Sequence, residues 1–174
     1  NATAANMAAG TYVVTVADVN GCEISETVNL SSSAAPSINI TPISPSCANQ
    51  NNGSIDLAVT GGVAPITFDW STGAQTEDVA NLLAGTYDVT ISDAAGCTVQ
   101  GNPITLTQPN EISISGTPTN VSCNGGSNGS ISLNISGGTG TNYSVTWSNG
   151  GTGSVLSNLS AGSYTPTVTD ENGC

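Results

Sequence analysis

Along much of the chain, hydrophobic residues alternate singly with polar ones in short runs. Ile55, Leu57 and Val59 interleave with Asp56, Ala58 and Thr60, and Ile66, Phe68 and Trp70 with Thr67 and Asp69. Tyr87, Val89 and Ile91 interleave with Asp88, Thr90 and Ser92, and Ile104 and Leu106 follow. Further on come Ile131, Leu133 and Ile135, then Tyr143, Val145 and Trp147, then Tyr164 and Val168. A period of two places every second side chain on one face, as in a strand with one side in a core. Gly-Gly, Asn-Gly and Ser-Asn-Gly punctuate the gaps, as turns do. No stretch carries an apolar stripe of helical period, and no apolar run reaches the ~18 residues of a membrane-crossing helix. The pattern predicts an all-β chain.

The pattern also repeats. Ala9-Gly10-Thr11-Tyr12 returns as Ala84-Gly85-Thr86-Tyr87 and as Ala161-Gly162-Ser163-Tyr164, with Cys22, Cys97 and Cys174 ten residues after each Tyr. Asn52-Gly53-Ser54-Ile55 returns as Asn128-Gly129-Ser130-Ile131, Gly61-Gly62 as Gly137-Gly138, and Trp70 as Trp147, a period of 75 to 77 residues. Such self-similarity marks a repeat architecture. The expected division is 1–35, the C-terminal part of a unit; 36–110, a complete unit; and 111–174, a unit cut before its last strand. Residue 1 falls mid-pattern, so a piece of a longer chain is expected.

Six or seven short strands in about 75 residues, with a Trp on a middle strand, predict an immunoglobulin-like β-sandwich in each unit. Trp70 and Trp147 share parity with Phe68 and Val145, so both are assigned to the core rather than to stacking on sugars. Tyr87 and Tyr164 follow Leu-x-Ala-Gly and Leu-Ser-Ala-Gly. They are expected at a corner where the hydroxyl bonds back to the preceding turn. Pro166 stands where the second unit has Val89. Proline forfeits a ladder bond, so a bulge or an edge is expected there.

Composition narrows the function. The 174 residues hold no Lys, Arg or His against 12 Asp and Glu, a formal charge of −12. Ser, Thr, Asn and Gly together are 86 residues. Without cations there is no counterion-release binding to nucleic acid and no attraction to anionic lipid. Without His, the Ser-His-Asp and Cys-His catalytic sets cannot form. The acids show no recurring close pair of the kind that hydrolyses a glycosidic bond. No enzyme activity is expected, and trypsin has no site to cut.

Five cysteines in a polar, sign-biased chain predict an oxidising, extracellular setting. Two pairings remain open. Within units, Cys47 would join Cys97 and Cys123 would join Cys174, each bridge closing about 50 residues and contributing roughly 4 kcal/mol in the chain-entropy model. Across joins, Cys22 would take Cys47 and Cys97 would take Cys123. The first is the expectation, because cysteines across a join would lie about a domain length apart. It carries a tension, since a simple sandwich puts Cys47 and Cys97 at opposite poles. Zinc is disfavoured by the long Cys spacings.

Asp18, Asp93 and Asp170 share one repeat position, each followed three residues later by Gly. A hairpin turn is the main reading, with Asp bonding its own backbone and Gly supplying positive φ. Calcium at these loop tips is the other, although it needs six to eight oxygens. Glu77 and Asp78 could add ligands, but the third unit has Ser154 and Val155 there. Nine Asn-x-Ser/Thr triplets start at Asn1, Asn29, Asn39, Asn52, Asn120, Asn128, Asn134, Asn142 and Asn158. A chain this rich in Ser, Thr and Asn produces them by chance.

Ser46-Cys47, Gly53-Ser54-Ile55, Gly61-Gly62, Trp70-Ser71, Leu82 to Thr90, Asp93 and Gly96-Cys97 together resemble the SprB repeat family. The set recurs at Ser122-Cys123, Gly129-Ser130-Ile131, Gly137-Gly138, Trp147-Ser148 and Asp170 to Cys174. The resemblance implies a repetitive cell-surface protein of Bacteroidota exported by the type IX system. The family's namesake is a mobile adhesin of gliding motility. It carries over no catalytic residues, and Pro166 departs from its pattern. The expected function is therefore structural and adhesive: a stalk or filament of tandem units holding an extracellular polysaccharide or surface through many weak contacts. Two alternatives stand beside it. One is a carbohydrate-binding module, calcium-dependent or not. The other is a filament subunit that self-associates into fibres by strand exchange.

Overall fold

The structure, a computed structural model, describes residues 3–174. Asn1 and Ala2, and with them the first triplet and the start of the 1–35 unit, lie outside the described residues. The chain is all-β, and among the described residues every regular element is a strand.

The first unit contributes β1 (Gly10–Ala17) and β2 (Glu23–Leu30), paired antiparallel along their whole length. The second contains β3 (Ser37–Ile43), β4 (Gly53–Thr60), β5 (Thr67–Trp70), β6 (Val79–Leu82), β7 (Gly85–Tyr87), β8 (Val89–Ser92), β9 (Thr98–Gln100) and β10 (Ile104–Leu106). The third contains β11 (Asn110–Thr119), β12 (Gly129–Gly138), β13 (Ser144–Trp147), β14 (Val155–Leu159) and β15 (Pro166–Thr169).

In the second unit, the sheet β3-β4-β6 lies over β5-β8-β9, with β7 and β10 paired as a continuation. Alternation supplies the core between them. Ile55 and Leu57 from β4, Val79 and Leu82 from β6, Trp70 from β5, Val89 and Ile91 from β8, and Ile104 and Leu106 from β10 form one buried cluster. The polar residues between them face out. Asn81 adopts a left-handed φ of 58° where β6 passes a register shift beside Gly53. Asn158 does the same in β14 beside Gly129, at 60°. Asn tolerates this conformation better than most residues, so both units have the same bulge.

The third unit repeats the plan as β11-β12-β14 over β13-β15, around Val145, Trp147, Leu156 and Leu159. Among the described residues it has no counterpart of β9 or β10. Ile131 and Leu133 are accordingly only half-buried, whereas their equivalents Ile55 and Leu57 are 0 % and 1 % exposed. Pro166 is the first residue of β15, paired with Trp147. Strand β15 pairs with β13 alone, so Pro166 lies at the start of an edge strand, as expected, where proline's missing N–H costs little.

The first unit shows the converse. Val14 and Val16 of β1 are 53 % and 59 % exposed, while their equivalents Val89 and Ile91 are 1 % and 0 %. The hairpin keeps its register, and no second sheet covers this face among the described residues.

Candidate functional site: the join between units

Each unit has two poles, fixed by strand direction. In the second unit β3 runs from the upstream to the downstream pole, so the β3–β4 loop carrying Cys47 lies downstream. Strand β4 returns, so Gly61-Gly62 lies upstream. The β8–β9 hairpin also ends upstream, where Asp93 Oδ2 accepts the Val63 N–H at 3.0 Å. The third unit repeats this, with Cys123 downstream and the Asp170–Cys174 tip upstream beside Thr139, whose N–H reaches Asp170 Oδ2 at 2.7 Å.

At the join, the downstream loop of one unit therefore meets the upstream tip of the next. Cys47 and Cys174 are bonded there, with Cα atoms 5.7 Å apart and 127 residues between them in sequence. Asn172 Nδ2 donates to the Ser46 carbonyl at 3.1 Å. Gln108, in the linker, accepts the Asn49 N–H through Oε1 at 2.9 Å. Asn49 Nδ2 also donates to Glu111 Oε1. Cys22, Cys97 and Cys123 are free thiols.

This corrects the expected disulfides. Cys47 does not pair with Cys97, nor Cys123 with Cys174, because the members of each pair occupy opposite poles of one unit. The cross-join alternative, Cys97 with Cys123, fails more severely: those two residues sit at the outer ends of two consecutive units. The observed bond passes over both.

Both halves of the site are built by local hydrogen bonds. In the loop, Asn52 Oδ1 accepts the Ser46 N–H at 3.1 Å and Asn52 Nδ2 donates to Ser46 Oγ at 2.7 Å. Asn128 holds Ser122 in the same way, at 3.1 and 3.0 Å. At the tips, Asp18, Asp93 and Asp170 each accept the N–H of the cysteine four residues on, at 2.9, 2.8 and 2.9 Å. Backbone donors hold all three carboxyls below the usual aspartate range: Val63 and then Cys97 for Asp93, Cys174 and then Thr139 for Asp170, Cys22 and then Asn20 for Asp18. Glu171 is lowered likewise, chiefly by the backbone and side chain of Asn142. These carboxylates orient the hairpin tips and, in the two later units, tie them to the Gly-Gly turn.

Asp18, Asp93 and Asp170 sit one per unit, with lone pairs directed at N–H groups. Asp78 accepts the Leu57 N–H at 3.0 Å. Among the described residues no three His, Cys, Asp or Glu side chains gather in a metal-binding group.

Trp70 and Trp147 are 2 % and 5 % exposed, and each indole N–H donates to a loop carbonyl, Thr76 or Gly153, at 2.9 Å. Tyr87 and Tyr164 donate to the carbonyls of Leu83 and Ser160, four residues back, at 2.9 and 3.0 Å. Tyr12 does the same to Ala8 at 2.7 Å. Of the residues at the join, Asn49 and Glu111 were not singled out from sequence. The Ser46–Asn52 and Ser122–Asn128 spacing was a usable signal, six residues in both units. Gln108 and Glu111 have no recurring counterpart.

The geometry defines a class: tandem two-sheet β units, stapled pole to pole. Residues 37–75 and 115–152 each match the SprB repeat. That family is associated with adhesin-type repeat regions of cell-surface proteins. No curated protein matches the sequence.

Proposed function

We propose that this chain is part of an extracellular stalk whose role is mechanical and adhesive, carrying many weak contacts with a surface or polysaccharide. The observation that supports this most directly is the join. The covalent bond and the polar contacts at Ser46, Asn49, Gln108 and Glu111 couple consecutive units. A stapled join transmits tension along the array and keeps its units in a fixed order of faces. The chain's 12 acids and absence of any base keep such a surface solvated and self-repelling. Adhesion by such an array rests on multivalency, because effective concentration multiplies contacts that are individually weak.

The test compares one chain with many. Beads densely coated with the chain are flowed over immobilised polysaccharides, and the free chain is applied to the same panel with and without chelator. Retention of the beads with undetectable binding by the free chain supports the stalk. Tight, chelator-sensitive binding by the free chain overturns it in favour of a calcium-dependent carbohydrate-binding module. Failure of the beads to hold on any surface removes the adhesive part of the reading.

A further inference from the structure

We propose that the Cys47–Cys174 bond is one rung of a series, in which the downstream loop cysteine of a unit takes the upstream tip cysteine of the unit that follows it. Cys123 is then the docking cysteine for the tip of a further unit, and Cys22 and Cys97 for the loop of a preceding one. The partner in each case is another copy of this same module.

Bonded and free cysteines occupy equivalent positions. Cys123 sits in a loop held by Asn128 and Ser122 as Asn52 and Ser46 hold the loop of Cys47. The backbone N–H groups of Cys22 and Cys97 are fixed by Asp18 and Asp93 as Asp170 fixes that of Cys174. The two cysteines of a joined pair are thus presented by preformed structures that also exist, unjoined, elsewhere in the chain. Cys22 and Cys123 are exposed at the two far ends and Cys97 is partly so. No cysteine can reach a partner within its own unit, because the two lie at opposite poles. A free thiol at a pole is therefore matched only by a thiol at the complementary pole of another unit. Tip against tip and loop against loop have no counterpart in the structure.

Formation of each rung removes two hydrogens from two thiols. A small-molecule disulfide such as oxidised glutathione supplies the balance: thiolate attack gives a mixed disulfide, the second cysteine displaces the remaining glutathione, and two glutathione thiols leave. The same chemistry joins units of one long polypeptide or of separate chains.

The staple does not depend on what the array adheres to. To test it, the 174-residue chain, with Cys47–Cys174 formed, is incubated with oxidised glutathione at neutral pH. Products are separated without reductant, and the crosslinks are mapped after cleavage at acidic residues, since trypsin has no site. The expected result is a ladder of disulfide-linked multimers in which Cys123 is joined to Cys22 or Cys97. Cys123→Ser removes the ladder, and the double variant Cys22→Ser with Cys97→Ser removes it equally. Persistence of monomer alone overturns the proposal. So do Cys123–Cys123 and tip-to-tip links in the proportions expected of random oxidation.

Discussion

Cys47 and Cys174 stand 5.7 Å apart between Cα atoms across the join of two units, although 127 residues separate them in sequence. The bond crosses between two folded bodies and lies inside neither. Each body has its own buried cluster. The bond fixes one unit against the next and also shortens the unfolded chain, and the two effects can be measured separately.

The bond also restricts the unfolded chain. It closes 127 residues, which the chain-entropy model puts at roughly 5 kcal/mol. Reduction, or Cys47→Ser, is therefore expected to lower the melting temperature. It should also free the orientation of the two units, read as a broader distribution of maximum dimensions by small-angle scattering under conditions where both units stay folded. Unchanged dimensions after reduction would show that the polar contacts alone hold the join.

Most of the fold was legible because alternation and repetition are local signals. Ile55, Leu57, Val89 and Ile91 could be placed in a core from parity alone, and Trp70 from its parity with Phe68. The cysteine pairing was not legible in this way. It depends on which pole each loop occupies and on which units abut, and both are set by strand direction over 127 residues. The opposite-pole tension between Cys47 and Cys97 was the usable clue. The within-unit pairing was expected all the same, and its cross-join alternative offered Cys97 and Cys123, whereas the join brings together the two cysteines that flank them.

The two Trp cores should differ in their response to truncation. Trp70 belongs to a nine-residue buried cluster and Trp147 to a four-residue one. Trp70→Ala is expected to cost about 3–5 kcal/mol, the range for large aromatic deletions in a closed core. Trp147→Ala should cost less, because half-buried neighbours such as Ile131 and Leu133 can relax into the space. Denaturant unfolding followed by far-ultraviolet circular dichroism reads both units, and fluorescence of the remaining tryptophan marks the transition of the unit left intact.

The Gly-Gly turn separates backbone conformation from space. Gly137 has φ of 83°, and a Cβ there would run into the Glu111 carbonyl. Gly150 has the same φ of 83° with open space around it. Gly150→Ala should cost about 1 kcal/mol from the left-handed backbone alone. Gly137→Ala adds a clash with main chain that cannot step aside, so its loss of stability should be clearly larger. Equal melting points for the two variants would show that the join-side backbone yields.

Acid should be tolerated well below neutrality. Backbone N–H donors depress Asp18, Asp93, Asp170 and Glu171 in the folded chain. A depressed carboxylate stabilises the fold above its unfolded value, about 3.9 for Asp and 4.3 for Glu, and loses that contribution as pH falls through the lower folded value. Nothing is lost from these groups between pH 7 and about 4.5, and the chain has no histidine to titrate in that window. As pH approaches 4 the repulsion among the 12 acids also weakens, which favours the compact state. The melting temperature should therefore stay level or rise slightly from pH 7 to about 4.5, then fall below about pH 3.5 as the hairpin-tip carboxylates take protons. Asp93→Asn should flatten the acid limb for the second unit, because the amide keeps an acceptor for the Val63 or Cys97 N–H at every pH. A steep fall between pH 7 and 5 would place the controlling groups somewhere other than these four carboxylates.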